Sequence, residues 1–171
     1  MFPDMLCAML CVFTLMIFIA LIAGGTYAHN KIIHVPPDFV SFSAPFIVYY
    51  VNIDNRTDRN AHFLREMQKI QCDGVVRVSA VEHKIGILGC IQSHIKALKM
   101  CLYDDNEFAL ICEDDFTFKG ENREVQFLLQ QALSTCIEWN VILLAVNGKT
   151  TPTSFKYIHK VIQSQTASAY L

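Results

Sequence analysis

Apolar and polar positions fall into two regimes along this chain. From Met5 to Ala23, 19 consecutive residues contain one polar side chain, Thr14. Beyond Pro45 the apolar residues gather into short runs separated by segments with helical spacing. Phe46-Ile-Val-Tyr-Tyr-Val-Asn-Ile53 is almost continuously apolar, β-branched and aromatic, the pattern of a strand buried on both faces. Thr57 or Asp58 can cap a following helix that carries Ala61, Leu64 and Met67 at helical spacing. Asp73-Gly74 breaks the chain before a second strand, Val75–Val78. A helix is predicted from about Cys90 to Tyr103, with an apolar stripe of Ile91, Ile95, Leu98 and Leu102. Phe108–Cys112 reads as a strand, Val125–Cys136 as a helix and Asn140–Val146 as a strand. Lys156–Gln163 and Ala167–Leu171 are candidate further strands.

Strands alternating with helices, each strand apolar throughout, predict βαβ units and a mostly parallel α/β sheet covered on both faces. The first segment needs a different explanation. Nineteen helical residues span roughly 28 Å at ~1.5 Å each, close to the ~30 Å hydrocarbon core of a bilayer. The expected organisation is therefore an N-terminal membrane anchor or signal-anchor (1–28), a linker (29–44) carrying Pro36-Pro37, and a domain (45–171). Thr26-Tyr27-Ala28 could serve as a cleavage site, but no Lys or Arg precedes the apolar run, so a single-pass anchor is expected, its orientation left open.

Composition narrows the function classes. The chain has 171 residues, 53% hydrophobic and 18% charged, which excludes a disordered chain. With 14 Lys+Arg against 16 Asp+Glu the net charge is −2, so no nucleic-acid partner working by phosphate neutralisation is expected. Of the seven cysteines, Cys7 and Cys11 lie in the apolar segment. Cys72, Cys90, Cys101, Cys112 and Cys136 form no C-x-x-C pair, which argues against zinc and against a disulfide framework.

In open α/β sheets ligands bind beyond the carboxyl ends of the strands. Glu113-Asp114-Asp115 stands there, directly after the Phe108–Cys112 strand. Three successive carboxylates repel one another, and a hard divalent cation is the simplest group to bring them together. Asn52, Asp54, Arg56, Asp58 and Arg59 follow the first strand, where arginines can clamp a phosphate and an aspartate can accept from a ribose. In Gly86-x-x-Gly89-Cys90-x-x-Ser93-His94 the glycines permit close backbone approach and the helix amino end can hold an anion. Ser93 and His94 are adjacent on a helix and point apart, so they form no nucleophile–base pair.

Six blocks occur in one order: Asn52-Ile-Asp-Asn-Arg-Thr-Asp-Arg59, Arg77-Val-Ser-Ala-Val81, Leu88-Gly-Cys-Ile-Gln-Ser-His-Ile95, Phe108-Ala-Leu-Ile-Cys-Glu-Asp-Asp115, Trp139-Asn-Val-Ile-Leu-Leu144 and Gln165-Thr-Ala-Ser-Ala-Tyr-Leu171. Together they resemble glycosyltransferase family 25, which includes lipopolysaccharide-biosynthesis galactosyltransferases and collagen hydroxylysine galactosyltransferases. The resemblance implies a GT-A-like, Rossmann-type fold. It also implies a nucleotide-sugar donor, usually UDP-linked, and a divalent metal, Mn²⁺ or Mg²⁺. The reaction would be hexosyl transfer, of galactose or glucose, to a hydroxyl on a glycan, lipopolysaccharide or protein. By position, Glu113, Asp114 and Asp115 match the family's acidic metal motif, with Asp114 and Asp115 the expected catalytic carboxylates. Asn52, Asp54, Arg56 and Arg59 match the segment that meets the nucleotide, and Ser93-His94 matches the family's Ser-His pair on the donor side. Asn140 departs from the Asp more usual after Trp. The chain stops at Ala169-Tyr170-Leu171 where members of that family continue, so a C-terminally incomplete domain is expected. A transferase-like domain that binds without turnover is the main alternative; a phosphoacceptor receiver domain fits less well, because at least two strands precede the acids.

Overall fold

A computed structural model describes residues 18–21, 33–40, 43–72, 74–104, 107–135, 139–165 and 168–171. The strands are β1 (Phe18–Leu21), β2 (Ile47–Asn52), β3 (Val75–Ser79), β4 (Ala109–Glu113), β5 (Val141–Leu143), β6 (Gly148–Pro152), β7 (Ile158–Ser164) and β8 (Ala169–Tyr170). The α-helices are α1 (Thr57–Met67), α2 (Gly86–Tyr103) and α3 (Asn122–Leu133), with a 3₁₀ turn at Gln68–Ile70 extending α1.

All eight strands form one sheet in the order β3-β2-β4-β8-β5-β1-β7-β6. β3, β2 and β4 pair in parallel, as do β5 and β1, whereas β8 and β7 run against their neighbours. Six strands therefore point one way, and the mostly parallel α/β sheet expected from the apolar runs is present.

The pleat divides the core. Val48 and Tyr50 of β2 and Leu110 and Cys112 of β4 pack with Phe63 and Met67 of α1 and with Val125, Leu128 and Leu129 of α3. Tyr49 and Ile111, one residue out of phase, point to the other face and meet Ala97 of α2. Both faces of β2 and β4 are thus buried, which explains why their sequences do not alternate. A capping box between Glu121 and Glu124 starts α3. Of the expected linker, residues 33–40 lie on α3: one Arg123 nitrogen donates to the carbonyls of Pro36, Pro37 and Phe39 at 2.8–3.1 Å, and Phe39 sets its edge against Phe127.

Three expectations are corrected. The stripe Ile91, Leu98 and Leu102 faces solvent, Leu102 being 80% exposed, and Gly89, Ser93 and Ala97 form the buried face of α2. Small residues spaced four apart let this helix lie close to the sheet, and closeness outweighs side-chain bulk. β6 was not anticipated, because Gly-Lys-Thr-Thr-Pro offers no apolar run; it is an exposed edge strand on β7. A Cβ at its Gly148 would come within 1.9 Å of the Gln163 carbonyl oxygen, so only glycine fits that approach. Finally, Phe18–Leu21 pairs as strand between β5 and β7, not as helix. The rest of the expected membrane helix lies outside the described residues, and no helix among the described ones is long and apolar enough to cross a membrane.

Gly89 gives a direct test of the close packing of α2. A Cβ there would stand 2.5 Å from the Val81 carbonyl oxygen and 3.3 Å from the His83 amide nitrogen. Alanine is favoured over glycine within a helix by ~1 kcal/mol, yet displacing a packed backbone costs about 1–3 kcal/mol. Gly89→Ala is therefore expected to destabilise, seen as a lower urea midpoint with an unchanged slope.

Candidate functional site

From β2 the chain crosses to β3 on one side, then returns past β2 to β4 on the other. The intervening helices α1 and α2 lie on opposite faces of the sheet. A crevice opens at such a reversal, outside the carboxyl ends of the two strands. Here a cleft of about 400 Å³ is lined by Arg59, His83, Cys90, His94, Glu113 and Asp115, among others.

The pleat also decides where the three acids go. Glu113, the last residue of β4, is on the α2 face, while Asp114 follows on the α1 face. The Glu113 Oε1 lies 3.7 Å from His94 Nε2 and 3.7 Å from Cys90 Sγ. His94 and, more weakly, Ser168 hold the Glu113 carboxyl below its usual range against the opposing effect of burial. Asp114 is almost fully buried; its oxygens accept from Asn52 Nδ2 at 2.7 Å and from Arg59 Nη1 at 3.0 Å. The same Arg59 nitrogen lies 3.2 Å from Asp115, which is half exposed. Arg59 therefore joins the two aspartates, and the three carboxylates do not converge on a common point.

Asn52 is buried and serves as a hub. Its Nδ2 also donates to the Arg56 carbonyl at 3.1 Å, and its Oδ1 accepts from Arg77 Nε at 2.8 Å. Asp54 accepts from Ser79 and Arg77, both at 2.7 Å, and these bonds hold its carboxyl below the usual range. Arg56 forks onto Asp58 at 2.9 and 2.7 Å, lowering the Asp58 pKa and raising that of Arg56. Both members of that fork are exposed, and Arg56 is not among the residues lining the cleft. Ser93 borders the cleft, but its hydroxyl is committed to the backbone: it donates to Gly89 O at 2.7 Å and accepts from Val81 N at 2.8 Å. His94 lies on the Tyr170 ring, with Nδ1 3.1 Å from the phenol oxygen.

Of the expected site residues, the structure brings Arg59, Asp114, Asp115 and Asn52 into one network, and Glu113 and His94 into another. Arg56 and Asp54 are drawn into ion pairs of their own. Cys90 and Tyr170 were not anticipated. The four-residue spacing of Cys90 and His94 was a visible sign that they share a helix face; Tyr170 gave no sign, since antiparallel pairing of β8 with β4 brings it there. Beyond Asp115 a second cleft of about 390 Å³ is lined by Phe116, Thr117, Lys119, Leu128, Leu144 and Ser168, among others, so Asp115 borders both.

The depressed Glu113 carboxyl sets an acid limit. Because its folded pKa is below the reference 4.5, its contribution to stability is present above that pH and is lost as pH falls through the lower folded value. Glu113→Gln is expected to be less stable than the parent at neutral pH, with the gap closing in acid; urea unfolding from neutral to acid pH measures it.

A model of glycosyltransferase family 25 (LPS biosynthesis protein) matches residues 82–168, slightly more than half the chain. The match takes in α2, β4 and the acids, α3 and the strands up to Ser168, but begins after β3, so Asn52–Arg59 lies ahead of it. No curated protein and no solved structure matches. With α2, β4 and the acidic rim all inside the matched region, the chain belongs to glycosyltransferase family 25.

Proposed function

We propose that the chain transfers a hexosyl group, galactose or glucose, from a nucleotide-diphosphate sugar, UDP-linked in the first instance, to an acceptor hydroxyl on a glycan, lipopolysaccharide or protein. The observation that carries this reading is the Asp114–Arg59–Asp115 network at the switch point of a parallel sheet, beside a cleft on each side. The GT-A-like assignment belongs to the same proposal.

Arg59 is the residue for the diphosphate. One guanidinium nitrogen is anchored on the two aspartates, so the planar group is fixed before a ligand arrives and can present its remaining N–H donors to phosphate oxygens. Asn52 holds Asp114 in place beneath it. The sugar carbon breaks its bond to the phosphate oxygen, which leaves on the nucleoside diphosphate, and forms one to the acceptor oxygen, with inversion, while the acceptor's proton passes to water in the cleft. Positive charge at Arg59 stabilises the charge that grows on the nucleoside diphosphate. The acceptor approaches from the second cleft, across Asp115.

The residues fit a divalent metal in one limited sense. They form no three-carboxylate cage, since Glu113 turns to the opposite face. Mn²⁺ or Mg²⁺ is usually held by one or two carboxylates together with substrate phosphates, and half-exposed Asp115 with Asp114 behind it suits that arrangement. When bound, the ion would supply Lewis-acid neutralisation of the diphosphate.

Calorimetric titration with UDP, with and without Mn²⁺, tests the donor site, and hydrolysis of UDP-sugars tests turnover. Metal-dependent UDP binding and release of free sugar are expected. Binding without turnover would reduce the chain to a nucleotide-sugar-binding module, and no binding would overturn the reading.

A further inference from the structure

Glu113 does not join the aspartates, and what it joins instead is a second set of ligand atoms. Cys90 Sγ, a ring nitrogen of His94 and a Glu113 carboxylate oxygen all lie within 4.8 Å of one another, and among the described residues no other three Cys, His, Asp or Glu side chains do so. We propose that Cys90, His94 and Glu113 form a three-ligand site for a borderline-soft divalent ion, Zn²⁺ first, with the fourth position open to the cleft for water or an anionic oxygen.

The dimensions support it. Zinc bonds of ~2.3 Å to sulfur and ~2.0–2.2 Å to nitrogen or oxygen, in a tetrahedron, place ligand atoms roughly 3.3–3.6 Å apart. The oxygen of Glu113 is 3.7 Å from both the sulfur and the nitrogen. Small side-chain movements would close the site without moving the backbone.

Supporting groups are in place as well. Metal-binding histidines usually fix the ring through the second nitrogen. Here Nδ1 of His94 is 3.1 Å from the Tyr170 hydroxyl and the two rings stack, which leaves Nε2 toward Glu113. Cys90 and His94 sit one turn apart on α2, held by a different element from Glu113, so the helix and the strand together fix the triangle. All three residues line the 400 Å³ cleft, which supplies the open fourth position. A thiolate–imidazole–carboxylate set selects zinc over the hard ions suited to Asp115. The absence of a C-x-x-C pair argued against zinc in the sequence. The structure removes that objection, because one ligand comes from a strand 23 residues away.

The inference goes beyond the transferase reading and is measured without nucleotide, so either can fail alone. The full chain, metal-free and reduced, is titrated with Co²⁺. One equivalent is expected to give intense tetrahedral d–d bands and a thiolate-to-cobalt charge-transfer band, both removed by competing Zn²⁺. Cys90→Ser should abolish the charge-transfer band with unchanged circular dichroism, since Cys90 is exposed and its loss leaves no cavity. Tyr170→Phe keeps the ring stack and should weaken metal affinity about 10–100-fold. Asp115→Asn should leave the thiolate-to-cobalt band in place. A wild-type chain without a thiolate band, a band that survives in Cys90→Ser, or a thiolate band lost in Asp115→Asn would each overturn the assignment.

Discussion

Asp115→Asn is expected to cut metal-dependent turnover of a UDP-sugar by roughly 10²–10³-fold, the range found when one group stabilising transition-state charge is removed. Stability should barely move. Asp115 is half exposed, and its partner Arg59 keeps its bond to Asp114 when Asp115 is neutralised. Surface changes of this kind usually stay within about 0.5 kcal/mol. Parallel measurement of sugar release and of the urea midpoint therefore separates a chemical role from a structural one. Turnover that survives intact would remove Asp115 from the reaction and with it the proposed place of the hard ion.

Asp114→Ala should act the other way round, on the fold first. Its carboxylate is almost fully buried and receives both Asn52 Nδ2 and Arg59 Nη1. Truncation leaves one N–H of the Asn52 amide, itself 2% exposed, unmet while the other stays on the Arg56 carbonyl, and leaves the guanidinium without its inner partner. An unmet buried polar group costs about 1–3 kcal/mol and a broken charge pair more, so a total loss of about 2–4 kcal/mol is expected. Denaturant unfolding reads it directly. Asp114→Asn retains an oxygen for Asn52 and should recover part of the loss; equal destabilisation by both substitutions would show that charge, not hydrogen bonding, holds the rim together.

The parallel half of the sheet was legible because its strands, Ile47–Asn52 and Ala109–Glu113, are buried on both faces and carry the uninterrupted apolar runs that such burial requires. α2 was legible as a helix but not in its orientation. Hydrophobicity alone puts Leu102 inside, whereas Gly89 and Ala97 go inside because only small residues allow the approach. The acids at the end of β4 were legible as the rim of a cleft and misleading as a unit. Three carboxylates adjacent in sequence invite a common ion, but the two-residue period of a strand sends Glu113 and Asp114 to opposite faces. Likewise Arg56 and Asp54, plausible phosphate and ribose partners by position, are taken by Asp58 and by Arg77 with Ser79. Such competition is decided in three dimensions.

The short strand Phe18–Leu21 has a consequence for the integrity of the sheet. Among the described residues, it is the only strand that joins β5 to the β7–β6 hairpin. Loss of β1 would therefore unstitch the hairpin from the rest of the sheet and bare two unsatisfied strand borders. Borders of that kind recruit whatever backbone is near. Without β1, the bared borders of β5 and β7 would favour pairing with another extended chain.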